Sequence, residues 1–159
     1  MGLDMYLSAQ TYLDNSRRDP PERKAAYQQV MATVGIESFT PANSIPFLTI
    51  RICVADWKNA YHIHRWFVEH VQNGKDECIE TEVYREQVQE LADLCKQLLR
   101  SKDCRQAAKS LPLPDGFSLE DADTVEGYWR HLEATAEQLE TVLNNPDFDR
   151  WEFSYRSSW

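Results

Sequence analysis

The sequence has few of the residues that build nucleotide-binding loops, because only five of its 159 residues are glycine. It contains neither a G-x-x-x-x-G-K-[ST] loop nor a G-x-G-x-x-G loop, in which backbone N–H groups hold phosphates. The G-x-S-x-G, H-E-x-x-H and EF-hand motifs are also absent. The sequence therefore supplies no catalytic motif and argues against nucleotide-dependent catalysis.

The four cysteines show neither a C-x-x-C pair nor a histidine at zinc-finger spacing, so no metal, cofactor or disulfide scaffold is expected. Cys95 lies within an apolar helical stripe, as is typical of a reduced cysteine in a reducing compartment. No segment approaches the roughly 18 apolar residues of a membrane span. The N-terminus also lacks the basic region and apolar run of a signal peptide. We therefore predict a cytoplasmic protein.

Positive charge is scarce, with 17 basic against 26 acidic residues and a net charge of −9. Such a surface repels phosphate backbones and anionic lipids, which disfavours direct binding of nucleic acid or membrane. The negative excess has two interpretations. It serves solubility in general, or it presents carboxylates to a basic groove on another protein.

Both ends of the chain alternate apolar and polar residues, which predicts a strand over 3–9 and another over 151–159. A third strand is predicted over 47–55, where Ile50, Ile52 and Val54 would form the buried face, and a short one over 79–83. Helices are predicted over 20–34, 56–72, 84–99, 104–110 and 124–144. Asp56 is the expected N-cap of the second helix.

This order of elements predicts a single α+β domain over residues 1–159. We expect a small, mostly antiparallel sheet that includes both chain termini and packs against several helices. The proline-containing segment 37–46 is expected to be an irregular loop that is either mobile or faces a partner.

His64 falls near the centre of the apolar face of the predicted second helix and should be buried. A buried histidine needs a hydrogen-bond partner, such as a backbone carbonyl, a tyrosine or an acid. Three interpretations of His64 remain open: it is a structural residue of the core, it forms the floor of a pocket, or it acts as an acid–base catalyst. His62 does not form a metal site with it, because residues two apart on a helix point about 200° apart.

Aromatic residues from the terminal strands and the second helix are expected to meet around the sheet. Core packing is the simpler interpretation, and a pocket for a small anionic or aromatic ligand is the alternative. The candidate ligand-binding residues are Tyr6, Trp57, Lys58, His64, Arg65, Tyr155, Ser157 and Ser158. On the opposite face of the helix, Trp66 is either covered by another element, such as the first helix, or exposed. In the second case His62, Trp66 and His70 are candidates for a partner-binding surface.

Three segments of the chain carry a family resemblance. They read MGLDMYL at the start, DWKNAYHIHRWFVEHVQNGKDEC followed by REQVQELADLC in the middle, and WEFSYRSSW at the end. The chain resembles a family of small uncharacterised bacteriophage proteins, whose members sometimes carry the label phosphoglycerate kinase. The absence of glycine-rich phosphate loops and the short chain argue against that label. The resemblance implies phage origin and action inside an infected bacterium.

Three functions follow as hypotheses. The first is an accessory protein that inhibits or modulates a host protein, such as an antiviral defence protein. The second is a module that sequesters a small nucleotide-like molecule. The third is a small enzyme that uses His64 as an acid or base.

Overall fold

A computed structural model describes residues 2–16, 19–35 and 47–159. The predicted loop over 37–46 lies outside the described residues. These described residues form ten elements in chain order: β1 (Asp4–Leu13), α1 (Pro21–Val34), β2 (Leu48–Lys58), α2 (Tyr61–His70), β3 (Thr81–Val83), α3 (Arg85–Ser101), α4 (Cys104–Ser110), α5 (Ala122–Leu143), a 3₁₀ turn (Phe148–Arg150) and β4 (Glu152–Ser158). The chain divides into two compact units, one formed by Met1–Ala9 with Cys53–Trp159 and the other by Gln10–Ile52. The single domain over 1–159 stays a prediction.

The four strands form one antiparallel sheet in the order β2-β1-β4-β3. The first and last strands are neighbours at its centre, which confirms the predicted α+β fold with both terminal segments in the sheet. In the register of β3 with β4, Thr81 lies opposite Tyr155 and Val83 lies opposite Phe153.

The core of the larger unit lies between one face of the sheet and its helices. Met5 and Leu7 on β1 and Tyr155 on β4 are buried, whereas the alternating residues Tyr6 and Arg156 are exposed. The buried stripe of α3 was predicted, and α3 packs against α5. Burial raises the pKa of the Cys95 thiol on this stripe to about 12, so the thiol stays protonated.

The unit Gln10–Ile52 has a small cluster of its own. Tyr27 and Met31 on α1 are buried with Leu13, and the ring of Phe47 meets that of Tyr12 edge to face at 6.1 Å. The helix ends where the sequence predicts, because Gly35 adopts the left-handed conformation with φ of 66°. Val34, the last residue of α1, is exposed.

The second helix begins later than predicted. Asp56 is not its N-cap, because β2 continues to Lys58 and α2 starts at Tyr61. The backbone N–H of Asn59 still pairs with the carbonyl of Leu3 at 2.8 Å, and the buried indole of Trp57 donates to Oγ1 of Thr135 at 2.9 Å. These two hydrogen bonds hold the end of β2 in an extended conformation.

The buried face of β2 also differs from the prediction. Ile52 is exposed and Val54 is half-buried, whereas Ala55 and Trp57 are buried. Val54 packs against the larger core and Ile50 against the smaller cluster, so the predicted alternation holds only in part, and Ala55 and Trp57 supply the fully buried positions of the strand.

Candidate functional site

His64 is the centre of a buried hydrogen-bond network. Its Nδ1 lies 2.7 Å from the hydroxyl of Tyr155, and its Nε2 lies 2.9 Å from Oδ1 of Asp76. Because an ionised carboxylate only accepts, Nε2 carries a hydrogen, and in the neutral ring Nδ1 accepts the bond from Tyr155. The predicted burial of His64 is confirmed, and its partners are of two of the expected kinds.

The hydroxyl of Tyr155 stays protonated in this network. Burial is the main cause that raises its pKa, and the nearby carboxylate of Asp76 adds to the effect. The Tyr155 ring also stacks on Phe67 with centroids 4.0 Å apart, so its position is fixed by packing as well as by hydrogen bonding.

The network opens on a cleft of about 350 Å³, which we call the His64 cleft. It is lined by Gly2, Leu3, Tyr61, His64, Asp76 and Trp159. The ring of Trp159 lies 6.0 Å from that of His64, and about half of the Trp159 and Asp76 side chains is exposed. The wall of the cleft therefore contains the accessible carboxylate of Asp76 together with the aromatic side chains of Tyr61 and Trp159.

Only part of the predicted ligand pocket meets at this cleft. His64 and Tyr155 are together, and Ser157 is buried on the same face of β4 as Tyr155. Trp57 is buried but packs against Phe67, with ring centroids 5.5 Å apart. Of the eight predicted residues, only His64 is among those that line the cleft, and four of the others also lie outside its hydrogen-bond network: Tyr6, Lys58, Arg65 and Ser158.

The reasons lie in the strand alternation and in a competing ion pair. Tyr6 and Lys58 alternate with core residues and are exposed on the other face of the sheet, and Ser158 alternates with buried Ser157. The guanidinium of Arg65 instead donates to the carboxylate of Glu69 at 2.8 Å. Asp76 was not among the predicted site residues, because a lone aspartate after a helix resembles any other loop residue in the sequence.

The predicted partner surface on α2 is wrong for two of its three residues. His62 and Trp66 are each 2% exposed, and His70 alone is exposed. The helix is covered on both sides, because its His64 and Phe67 meet the sheet while His62 stacks on α5. Trp66 is part of the core, and the exposed ring of His70 stacks on it at 4.6 Å.

A second cleft of about 390 Å³, which we call the His62 cleft, shares Gly2 and Tyr61 with the first. Its wall contains Asn59, Tyr61, His62, Phe117, Tyr128 and His131. The His62 ring lies 4.3 Å from that of Tyr128 at 28° and 5.4 Å from that of His131 at 29°. Burial and then the neighbouring His131 lower the pKa of His62 to about 3, so this ring is neutral at pH 7.

Comparison of the chain with protein-family models, with curated protein sequences and with solved structures gives no match in any of the three. The resemblance to a phage family therefore stays a prediction. Within the part of the chain that the structure describes, no helix is long and apolar enough to cross a membrane.

Proposed function

We propose that this protein is a phage-encoded accessory protein that binds a host protein in the bacterial cytoplasm and inhibits or modulates it. A lysine or arginine side chain of the partner enters the His64 cleft. The observation that carries the proposal is the carboxylate of Asp76, which buried His64 holds beside Tyr61 and Trp159.

This combination of groups suits a cation. A carboxylate accepts charge-assisted hydrogen bonds from an ammonium or guanidinium, and the faces of tryptophan and tyrosine attract the same charge. Neither lysine nor arginine is among the described residues that line the cleft. Because His64 is itself anchored by Tyr155, the carboxylate is already oriented before a partner arrives, which lowers the entropic cost of binding.

The charge of the whole chain acts in the same direction. A net charge of −9 steers a basic surface toward the protein and repels nucleic acid. The phage context rests on the family resemblance, and a host defence protein is the class of partner that this context suggests.

The network supports binding more than acid–base catalysis. Both ring nitrogens of His64 are already hydrogen-bonded, and Tyr155 is fully buried. A substrate would have to displace Asp76 or Tyr155 before His64 could exchange a proton with it.

A host-lysate pull-down followed by calorimetry of the purified pair tests this proposal. Asp76→Asn keeps an oxygen that accepts the His64 bond but removes the charge, so we expect the affinity to fall about tenfold or more. Asp93→Asn is the matched control, because it removes the same charge from an exposed position on α3. We also expect the affinity of the intact pair to fall when NaCl rises from roughly 0.05 to roughly 0.5 M.

Recovery of no stoichiometric partner from host cells, including infected ones, would contradict the proposal. Equal affinities for Asp76→Asn and Asp93→Asn would reject the His64 cleft as the contact. Displacement of the partner by free arginine amide would identify the bound group as a cationic side chain.

A second candidate function is the sequestration of a small molecule with a nucleotide-like ring. The aromatic wall of the His62 cleft favours it.

A further inference from the structure

The His62 cleft differs from its neighbour in the chemistry of its wall. Rings from α2, from α5 and from the α4–α5 loop line it, whereas Asp123 is the one carboxylate among its described lining residues. No lysine or arginine lines it within the part of the chain that the structure describes. A ligand with a phosphate or carboxylate therefore finds no counter-ion there.

Two of the rings at the rim are exposed to solvent. Phe117 is 59% exposed and Tyr61 is 39% exposed. Phe117 lies on the turn that its backbone N–H closes with the carbonyl of Pro114, at 3.2 Å. Exposed aromatic side chains beside a concave apolar wall are typical of sites that bind a planar molecule by stacking.

Gly127 gives the cleft part of its depth. This residue lies inside α5, where glycine is less favourable than alanine because it has the lower helix propensity. A Cβ atom added there meets nothing within 4 Å, so no neighbouring atom requires glycine at this position. The missing side chain leaves open space in the wall of the cleft, at the expense of helix stability.

His62 adds an unsatisfied polar atom. Its Nε2 is buried and has no hydrogen-bond partner in the described structure. A buried polar atom without a hydrogen-bond partner destabilises the folded protein, so its presence here calls for an explanation. A ligand that carries a hydrogen-bonding ring nitrogen supplies the missing partner after a small adjustment of the wall.

The geometry points to the His62 cleft as a binding site for an uncharged, planar heteroaromatic compound of the size of a purine or indole. This inference rests on the second candidate function and deepens it by naming the ligand class, and none of the residues that carry it is Asp76. The neutral state of His62 at pH 7 agrees with an uncharged ligand. The volume of about 390 Å³ lies at the lower end of the range for small-molecule sites.

Titration of the intact protein with adenosine, indole and AMP, followed by amide chemical shifts in NMR spectra, tests the inference. We expect saturable shifts at Phe117, Gly127 and Tyr128 with adenosine or indole, and at least tenfold weaker binding of AMP. Gly127→Val fills the open space and should lower the affinity for the probe that binds, adenosine or indole, at least tenfold. Thr141→Val is the matched control, because it places the same side chain at an exposed position of α5 and should change the affinity less than twofold.

His62→Phe keeps a ring of similar size but removes the nitrogens. We expect its affinity for adenosine to be about tenfold lower, while its melting temperature stays the same or rises. Absence of saturable shifts with both uncharged probes overturns the inference, and so does unchanged affinity in Gly127→Val. AMP binding as tightly as adenosine also overturns it, because that result requires a cationic group in the site. Each of these outcomes leaves the affinity of an Asp76-dependent partner unaffected.

Discussion

At the residue scale, His62 links the cleft to the pH dependence of stability. Burial lowers its pKa from an ordinary value near 6.5 to about 3, so between these values the unfolded chain binds a proton that the folded chain does not. The free energy of unfolding therefore falls as the pH drops from about 6.5 toward 3, by up to about 1.4 kcal/mol per pH unit. Protonation of His131, whose pKa burial and Arg130 also lower, acts in the same direction.

Replacing His62 isolates this contribution. We expect His62→Phe to flatten the decrease in stability below about pH 6.5, because the variant no longer has that proton to bind. Urea unfolding of both proteins at about pH 7, 5.5 and 4.5 measures the two slopes. Parallel slopes would mean that the His62 ring is not buried in its neutral form.

Tyr155 offers a second test at this scale. Tyr155→Phe keeps the stack on Phe67 but removes the hydroxyl that bonds Nδ1 of His64. A buried nitrogen left without a partner costs about 1–3 kcal/mol, so the free energy of unfolding should fall by that amount. Tyr6→Phe is the control, because that residue is 41% exposed on the other face of the sheet and should change stability by less than about 0.5 kcal/mol. Equal stabilities of the two variants would contradict a structural role for the network.

The same residues show where sequence reasoning succeeds and fails. The burial of His64 follows from helical periodicity, because its neighbours on that face are apolar. The hydrogen-bond partners of His64 cannot be predicted from this periodicity, because Asp76 lies twelve residues away in the sequence and meets His64 only in the folded protein. Whether Trp66 is covered or exposed does not follow either, since periodicity within one helix cannot show what lies against its other side, where His62 stacks on α5 and Trp66 is buried.

At the element scale, the strands and helices were predictable but some of their ends were not. The terminal strands, α3 and α5 have long periodic patterns, and the structure has each of them. The boundary between β2 and α2 was wrong because Asp56 resembles an N-cap, whereas tertiary bonds decide the conformation there. The backbone N–H and carbonyl of Asp56 instead bond the side-chain amide of Gln138 on α5, at 2.8 and 3.3 Å.

Helix α5 carries a testable compromise at Gly127. We expect Gly127→Ala to raise the free energy of unfolding by about 0.4–1 kcal/mol, because alanine has the higher helix propensity and its Cβ meets no neighbour within 4 Å. Gly116→Ala is the contrasting variant and should destabilise the protein, since Gly116 has a φ of 89°. Thermal and urea unfolding of both variants measure the difference. A loss of stability in Gly127→Ala would show that the wall of the cleft has no room for a methyl group.

At the scale of the whole molecule, the two compact units have hydrophobic clusters of different size. The cluster of Met1–Ala9 with Cys53–Trp159 draws on all four strands and on α2 to α5. In the unit Gln10–Ile52, the described cluster consists of Leu13, Tyr27 and Met31 with partly buried neighbours. Because buried apolar area is the main source of stability, the smaller cluster should open at a lower free energy.

Hydrogen exchange followed by mass spectrometry tests this difference. We expect the amides of α1 to exchange at least tenfold faster than those of α3, and Met31→Ala to accelerate exchange in α1 while α3 is unchanged. Gln28→Ala is the control, because it shortens an exposed side chain on the same helix. An equal acceleration of α1 and α3 in Met31→Ala would mean that the two units unfold together. That result would favour the single cooperative domain over residues 1–159 and would make the stability of both clefts depend on the cluster around Met31.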